Sequence, residues 1–242
     1  MINITHTPPE TLTTITMEPK PLDPAGVYKL EHTPSGSPYV ALPTRSPTPI
    51  FLTTYYAKDP PDCEAGLKLP AVHMHLISAP VPYTLADAEW WVNQQLTTAS
   101  NYPLQVIRAG SPSEDGTLIG SVSLMPPDSA VLAVLREKKA LPDSLKKGNE
   151  SELGYWLHPE WRGKGIVKAA VRAILALGKT EYGVNSVIVR IVEDNQNSRR
   201  VIESMGEDWV RAEAEDHLVD WPENKGGGGK KKIFTWRWTA PK

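Results

Sequence analysis

The chain has 242 residues, with 26 lysines and arginines against 28 aspartates and glutamates, so its formal net charge is −2. This length suits one sizeable domain with an appendage, or two small domains. The near-neutral charge argues against bulk nucleic acid or an anionic membrane surface as the main partner. No apolar run approaches the roughly 18 residues of a membrane-spanning helix.

The single cysteine, Cys63, excludes an intrachain disulfide framework and a zinc site built from cysteines. We therefore expect a reducing compartment, no bound metal and a cytoplasmic location. The first ten residues lack a basic stretch followed by an apolar one, so we expect no signal peptide there.

The prolines are unevenly distributed. Ten of the 23 lie between Pro8 and Pro49. Because proline removes backbone donors and blocks helix interiors, residues 1–48 are predicted to be an extended or partly disordered arm over the domain. A short strand near Val27–Leu30 is compatible with this prediction. The main domain is expected to cover residues 49–242.

Patterning predicts the elements that follow this arm. They are a strand at Ile50–Tyr56, a short helix at Asp62–Leu69, an extended segment at residues 71–77, a helix from Leu85 to about Thr98, and a hairpin of Leu104–Ala109 with Thr117–Leu124. Thr84 and Asp87 form an approximate capping box at the start of the longer helix. The segment at about residues 126–150 fits this pattern poorly and is interpreted as an inserted helix and loop.

The C-terminal half alternates strands and helices. We predict strands at Glu152–Leu157 and Val187–Val192, helices at Gly165–Gly178 and Asn195–Met205, and final strands at Trp209–Glu213, His217–Trp221 and Lys232–Trp238. A strand–helix–strand unit indicates a parallel pair. The predicted fold class is therefore α/β, with a mixed sheet flanked by helices.

The connection between the first of these strands and its helix carries the chemical signal. It offers two glycines and a lysine after His158 and Pro159. Free amides at a helix N-terminus, together with the helix dipole, bind anions. The turn is not a Walker A loop, because Lys164 is not followed by Ser or Thr, and it fits the dinucleotide fingerprint poorly.

A different pattern fits this turn. The run Arg162-Gly163-Lys164-Gly165-Ile166-Val167 resembles the R/Q-x-x-G-x-G/A signature of the GCN5-related N-acetyltransferases (GNAT), with Val167 in place of Gly or Ala. The segment from Asn195 to Gly206 is similar to the N-x-x-S pattern of the RimJ/RimL-like branch, with Glu207 where an aromatic residue is usual. The run from Tyr83 to Trp91 resembles the start of a helix in the same branch.

The resemblance covers about residues 50–240 and implies a GNAT fold with a central, splayed mixed sheet. It also implies acetyl-CoA as cosubstrate. The implied coenzyme-binding residues are Leu157, Arg162, Gly163, Lys164, Gly165, Ile166, Val167 and Asn195. An ordinary glycine turn and a helix N-cap at Asn195 are the structural alternatives.

The catalytic candidates are a base and an acid. Glu152 is the candidate base because it begins the strand that leads to the turn, and a solvent-exposed strand end is the alternative. The resemblance makes Ser198 the acid near the thioester sulfur, with a serine bonded to backbone as the alternative. Other candidate bases are Glu213, Glu215, Asp216 and His217. On a strand, His73 and His75 would share a face, near a substrate entrance or in packing, and are weak evidence for metal.

The predicted function is acetyl-CoA-dependent transfer of acetyl to a primary amine, either a protein N-terminus or a small molecule, by direct attack in a ternary complex. The alternative is a non-catalytic acyl-CoA-binding or protein-interaction module on the same fold. Neither nucleic acid nor membrane is an expected partner, and the family allows a homodimer. The predicted acceptor loops lie around residues 59–84, 126–150 and 214–231.

Overall fold

The computed structural model describes residues 19–76, 79–97, 103–125 and 150–240. The predicted insertion at about residues 126–150 lies, except for its last residue, outside them. The strands are β1 (Lys20–Pro21), β2 (Lys29–His32), β3 (Pro38–Leu42), β4 (Ile50–Thr53), β5 (Val106–Ala109), β6 (Thr117–Met125), β7 (Glu150–Leu157), β8 (Ser186–Val192), β9 (Trp209–Arg211), β10 (His217–Asp220) and β11 (Lys230–Thr239). The helices are α1 (Pro60–Leu67), α2 (Pro70–His73), α3 (Leu85–Thr97), α4 (Ile166–Tyr182) and α5 (Gln196–Glu203).

In the described part of the chain, the strands form one mixed sheet in the order β1-β2-β3-β4-β5-β6-β7-β8-β11-β10, and β9 pairs with β11. All neighbours are antiparallel except β7 and β8, which are parallel and joined through α4. The predicted mixed α/β sheet, the hairpin of β5 with β6 and the parallel pair are therefore confirmed.

The parallel pair separates early. Pairing between β7 and β8 extends only from Glu150 with Ser186 to Glu152 with Ile188. Both strands continue beyond these positions, to Leu157 and to Val192. The middle of the sheet therefore opens into a wedge whose two sides carry unpaired backbone groups. This is the splay that the resemblance predicts.

The predicted arm differs from the structure. Within residues 1–48, β2 and β3 are strands of the main sheet, and β3 pairs with β4 from Tyr39 with Thr53 to Leu42 with Ile50. The prolines leave this pairing intact because Pro38 stands first in β3, where proline is tolerated. The described part of residues 1–48 is thus built into the sheet instead of draped over it. The domain boundary at residue 48 stays a prediction.

The two largest apolar clusters among the described residues cover the two faces of the sheet. The larger includes Ala170 and Ile174 of α4 with Val187 and Val189 of β8. The smaller packs α1, α2 and α3 on the sheet and includes Cys63. Helix α4 is therefore fixed against the sheet, and its N-terminus is fixed with it.

The segment at residues 71–77 was predicted to be extended, and this prediction is wrong for its first part. Pro70 begins helix α2, and the helix ends at His73. Proline stabilises the first turn of a helix because its φ angle is preset. His73 is consequently buried among the helices, whereas His75 follows the helix, so the two side chains do not share the face of a strand.

The capping prediction for α3 is confirmed. The Asp87 carboxylate accepts hydrogen bonds from the Thr84 amide at 2.8 Å and hydroxyl at 2.6 Å, and the Thr84 hydroxyl accepts one from the Asp87 amide at 3.3 Å. These reciprocal bonds fix the start of the helix.

Candidate coenzyme site

A cavity of about 640 Å³ opens where the wedge between β7 and β8 meets the N-terminus of α4. Its lining comes from five parts of the fold: the loop between β3 and β4, the segment after α1, the end of β7, the turn into α4, and α5 with its cap. The residues are Arg45, Ala71, Val72, His75, Leu76, Tyr155, Trp156, Leu157, Arg162, Gly163, Gly165, Ile166, Val167, Lys168, Asn195, Asn197, Ser198, Arg200, Val201 and Ser204.

The turn into α4 is shaped by its two glycines. Gly163 and Gly165 have φ angles of +76° and +79°, and a Cβ atom at either position would have no neighbour within 4 Å. The left-handed conformation, which glycine adopts without strain, aims the backbone of the turn toward open space. A ligand can therefore approach this backbone closely.

Backbone amides are available beside these glycines. The helical hydrogen-bond ladder of α4 begins with the Ala169 amide, which donates to the Gly165 carbonyl at 3.1 Å. The amides of residues 166–168 precede this ladder and point out of the helix end, where the helix dipole is positive. The turn is therefore suited to hold an anion such as a phosphate.

The charge of the lining supports an anionic ligand. Four lining side chains are cationic, namely Arg45, Arg162, Lys168 and Arg200, and no Asp or Glu occurs among the described residues that line the cavity. Clefts lined by one sign of charge focus the field on the opposite sign. This local positive site coexists with a net charge of −2 for the whole chain.

Two of the side chains predicted to bind the coenzyme, Arg162 and Lys164, make hydrogen bonds that hold the turn in place. Arg162 donates to the carbonyl of Ala71 at 2.8 Å and to that of Leu157 at 3.4 Å. Lys164 donates to the Glu160 carbonyl at 3.1 Å, and its Nζ lies 4.7 Å above the centre of the Trp161 ring. Burial lowers the pKa of Arg162. Both cations therefore fix the turn while keeping positive charge beside it.

Val167 occupies the position where the signature has Gly or Ala. Its side chain lines the cavity and is half-buried against the main apolar cluster. The branched side chain is accommodated in the first turn of α4 because part of it packs against this core. It adds an apolar surface to the cradle.

Asn195 and Ser198 come together at the start of α5. Asn195 is the N-cap, and its side-chain oxygen accepts a hydrogen bond from the Ser198 amide at 3.2 Å. The Tyr155 hydroxyl on β7 donates to the Ser198 carbonyl at 3.3 Å across the wedge. Burial raises the pKa of Tyr155 to about 12, so this hydroxyl stays protonated at neutral pH. Asn195 both caps the helix and lines the cavity.

Glu152 lies at the closed end of the wedge and is not among the described residues lining the cavity. Arg190 on β8 donates to both carboxylate oxygens of Glu152, at 2.8 and 2.6 Å. The two side chains are 15% and 16% exposed. Such a bidentate pair holds the carboxylate firmly.

The other candidate bases lie outside the cavity. Glu215 is bound by Arg237 at 2.8 Å, and burial raises the pKa of this carboxyl. Arg211 donates to Asp216 at 2.5 Å, and the Nδ1 of His217 contacts the Glu215 carbonyl at 3.0 Å. These groups form a separate network on and between β9, β10 and β11.

Among the cavity residues that were not assigned to the coenzyme site from the sequence are Arg45 and His75. Arg45 reaches it from the predicted arm: its amide donates to the Lys164 carbonyl at 2.9 Å, and its guanidinium donates to the Gly163 carbonyl at 3.0 Å. His75 was predicted only to lie near a substrate entrance or to pack. Neither residue belongs to the motifs, so only the tertiary fold reveals their position.

The described residues contain no helix long and apolar enough to cross a membrane. Among the same residues there is no group of three or more His, Cys, Asp and Glu side chains that could hold a metal ion.

Comparison with known proteins agrees with this geometry. A curated relative described as "Putative ribosomal N-acetyltransferase YdaF", from Bacillus subtilis (strain 168), is 30% identical over 92 residues, or 38% of this chain. The matched region spans 41% of that relative's length.

Solved structures share the fold. RimJ of Mycobacterium smegmatis, in complex with CoA-disulfide, superimposes with a TM-score of 0.57 at 15% identity, covering 83% of this chain and 86% of that one. RimL, a ribosomal L7/L12 α-N-protein acetyltransferase in complex with coenzyme A, gives 0.56 at 14% identity, covering 82% and 97%. The microcin C7 self-immunity acetyltransferase MccE, bound to acetyl-CoA and AMP, gives 0.54 at 16% identity, covering 79% and 92%.

A family model described as "Acetyltransferase (GNAT) domain" matches residues 51–207, well over half of the chain. The glycine turn, the asparagine-capped helix and the splayed strands all fall inside this range. The resemblance indicated by the sequence motifs is thereby confirmed, and the chain belongs to the GNAT acetyltransferase family.

Proposed function

We propose that this protein is an acetyl-CoA-dependent N-acetyltransferase that acetylates a primary amine, either a protein N-terminus or a small molecule. The observation that carries the proposal is the open wedge between β7 and β8, which ends at an anion cradle on the N-terminus of α4. A long ligand with an anionic pyrophosphate and an extended, amide-containing arm matches both features.

The residues of the site have distinct proposed roles. The backbone from Arg162 to Val167 binds the pyrophosphate, and the edge of β7 that ends at Leu157 faces the pantetheine arm. Asn195 positions the start of α5 beside that arm. Ser198, in the first turn of α5, is the proposed acid for the leaving thiolate, and Ser198→Ala should lower kcat with little change in the affinity for acetyl-CoA. The role of Glu152 as base stays a prediction.

The proposed acceptor is an amine, whose nitrogen attacks the thioester carbonyl and gives a stable amide. Holding the amine and the thioester side by side supplies much of the rate. YdaF is described as a ribosomal N-acetyltransferase and RimL as acting on L7/L12, which makes a protein N-terminus one of the acceptors to be tested first. A cytoplasmic location and a homodimer stay predictions.

Calorimetry with acetyl-CoA, followed by release of free thiol with a panel of short peptides and small amines, tests the proposal. We expect binding and turnover with at least one amine. Binding without turnover on any amine would favour a non-catalytic acyl-CoA-binding module. The departures from the family motifs at Val167 and Glu207 are the reason to consider this alternative. Absence of binding would contradict both functions.

A further inference from the structure

His75 lies at the boundary between the coenzyme cavity and the segments predicted to bind the acceptor. It follows α2 and lines the cavity together with Ser198. Its Nδ1 is buried and lies 3.4 Å from the Asp194 carboxylate. The side chain as a whole is nevertheless 31% exposed. The exposed part of the side chain therefore lies away from Nδ1.

Asp194 is itself fixed. Lys231 on β11 contacts its second carboxylate oxygen at 2.6 Å, and the Nζ of this lysine lies 4.7 Å above the centre of the Trp221 ring. Asp194 directly precedes Asn195, the cap of the helix that carries Ser198. The contact between His75 and Asp194 thus places an imidazole near the helix that bears the proposed acid.

The charged groups around His75 come from three different elements. They are Asp194 before α5, Lys231 on β11 and Arg162 in the coenzyme turn. Burial lowers the pKa of His75, Asp194 works in the opposite direction, and the two cations add to the lowering. The net pKa lies below the ordinary value of 6.5, so the imidazole is neutral at pH 7 and can accept a proton.

The loop between β10 and β11 also places His75 next to segments that are predicted to bind the acceptor. Lys225, in the loop between β10 and β11, is 2% exposed and donates to the carbonyl of Leu76. Asn224 in the same loop donates to the Val81 carbonyl at 2.8 Å. Two of the segments predicted to bind the acceptor, residues 59–84 and 214–231, are therefore joined beside His75.

We propose that His75, in place of Glu152, is the catalytic residue that takes the proton from the acceptor ammonium. This inference rests on the proposed N-acetyltransferase function. One proton moves from the ammonium to Nε2 of His75, and the free amine then attacks the thioester carbonyl, forming a C–N bond. As the C–S bond breaks, a second proton leaves the nitrogen and reaches the thiolate, with the Ser198 hydroxyl as relay. His75 finally returns its proton to water.

In this proposal Asp194 is a positioning residue that acts on the ring through its charge, 3.4 Å from an Nδ1 that makes no hydrogen bond. Glu152 instead forms the closed end of the wedge with Arg190. If His75 is the base, variants of His75 should lose activity. If Glu152 is the base, variants of Glu152 should lose it instead. The two assignments also predict different pH profiles, because a neutral base loses activity on the acidic side as it becomes protonated.

The experiment measures thiol release from acetyl-CoA with two probes, a short peptide with a free N-terminus and 2-phenylethylamine. We expect His75→Gln to lower kcat at pH 7 by about 100-fold with little change in KM for acetyl-CoA. The acidic limb of the wild-type kcat profile, below pH 6.5, should disappear in this variant. Added imidazole should partly restore activity to His75→Ala, which a purely structural role would not explain.

Three further variants sharpen the test. Asp194→Asn should move the acidic limb to lower pH, because the carboxylate that raises the pKa of His75 is removed. Glu152→Gln should retain the limb, because this proposal gives the proton to His75. His32→Gln, a histidine on β2 away from the cavity, serves as the matched control and should match the wild type.

Several results would overturn the inference. If His75→Gln keeps the wild-type kcat and acidic limb while Glu152→Gln loses both, His75 is not the base and the proposed function stands. If His75→Gln loses only affinity for acetyl-CoA, the residue binds coenzyme. A wild-type protein that binds acetyl-CoA but acetylates neither probe would contradict the base, whereas failure to bind acetyl-CoA would contradict the proposed function itself.

Discussion

The guanidinium of Arg45 donates a 3.0 Å hydrogen bond to the carbonyl of Gly163. The Arg45 amide adds a second bond, to the carbonyl of Lys164 at 2.9 Å. Arg45 precedes the region matched by the family model, which begins at residue 51. A residue from the N-terminal segment therefore holds the glycine turn in place and adds positive charge to the cavity.

Replacing this arginine should weaken the coenzyme site. We expect Arg45→Ala to bind acetyl-CoA about fivefold more weakly, because an exposed charged contact contributes about 1 kcal/mol or less. Calorimetry at two salt concentrations measures the effect, which should shrink at high salt. Lys20→Ala, which removes an exposed pair with Glu181, is the matched control from the same segment. Equal affinities for wild type and Arg45→Ala would contradict the role.

The glycine turn allows a sharper test. Gly163→Glu adds a negative charge where an anion should bind, and forces a side chain onto a backbone with φ of +76°. We expect no measurable acetyl-CoA binding. Gly36→Glu is the matched control, since Gly36 has φ of +85° and also has no neighbour within 4 Å, but lies in the turn between β2 and β3.

The two variants should be destabilised to a similar extent, by about 1–2 kcal/mol, because the backbone strain is of the same kind. Thermal unfolding measures this. Only Gly163→Glu should lose coenzyme binding. If a folded Gly163→Glu protein binds acetyl-CoA like the wild type, the cradle has been assigned to the wrong turn.

A buried ion pair holds the smaller core together. Asp59 and Arg108 are both fully buried and make two contacts, of 2.9 and 2.7 Å. Asp59→Ala leaves the arginine charge without its partner, so we expect a loss of about 3–5 kcal/mol in the free energy of unfolding. Urea denaturation measures the loss. Asp220→Ala, which removes an exposed pair with Lys230, should have no measurable effect.

The double variant checks the explanation. If the uncompensated charge causes the loss, then Asp59→Leu combined with Arg108→Met should be less destabilised than Asp59→Ala alone. A double variant that is less stable than the single one would instead assign the loss to packing and to the other hydrogen bonds, including that from Arg108 to Thr53 at 3.2 Å.

Cys63 should be unreactive in the folded protein. Its side chain is 1% exposed, and burial, followed by the nearby charges of Asp59 and Asp62, raises the pKa of its thiol to about 12. The reactive thiolate is therefore scarce at pH 8. A chromogenic disulfide reagent should report no thiol in the native protein and one thiol per chain in urea. Rapid labelling of the native protein would contradict the buried position.

This property makes the thiol-release assay reliable. Free coenzyme A is the expected source of new thiol when the folded protein acetylates an amine. The Cys63→Ser variant controls for any contribution from the protein and should give the same rate. A lower signal from that variant, with its thermal stability unchanged, would show that the native cysteine reacts.

Local patterns predicted most of the C-terminal half. Helix α4 was predictable because its apolar residues cover most of its surface, as expected for a helix packed on a sheet. The glycine turn was recognisable because Gly163 and Gly165 lie two positions apart in the sequence, directly before the helix. The cap at Asn195 was predictable because it too depends on residues close in sequence: Asn195 is only three positions from Ser198, whose amide it caps.

Long-range contacts were not predictable in this way. Arg45 and Gly163 are 118 positions apart, and His75 meets Asp194 only after α2 has packed beside the wedge. The strands within residues 1–48 were missed because their proline content outweighed short alternating patterns such as that of Pro38–Leu42. That proline is compatible with pairing because it begins the strand.

The separation of β7 from β8 has a mechanical consequence. Strands β1 to β7 and strands β8 to β11 form two half-sheets, joined at the backbone by a ladder of three residue pairs. Beside this ladder, Arg237 and Ser186 both donate to Glu150. A ligand bound along the open edges would connect the two halves as an additional strand does. Amide hydrogen exchange in residues 153–157 should then slow on acetyl-CoA binding, which makes this internal edge a reporter of occupancy.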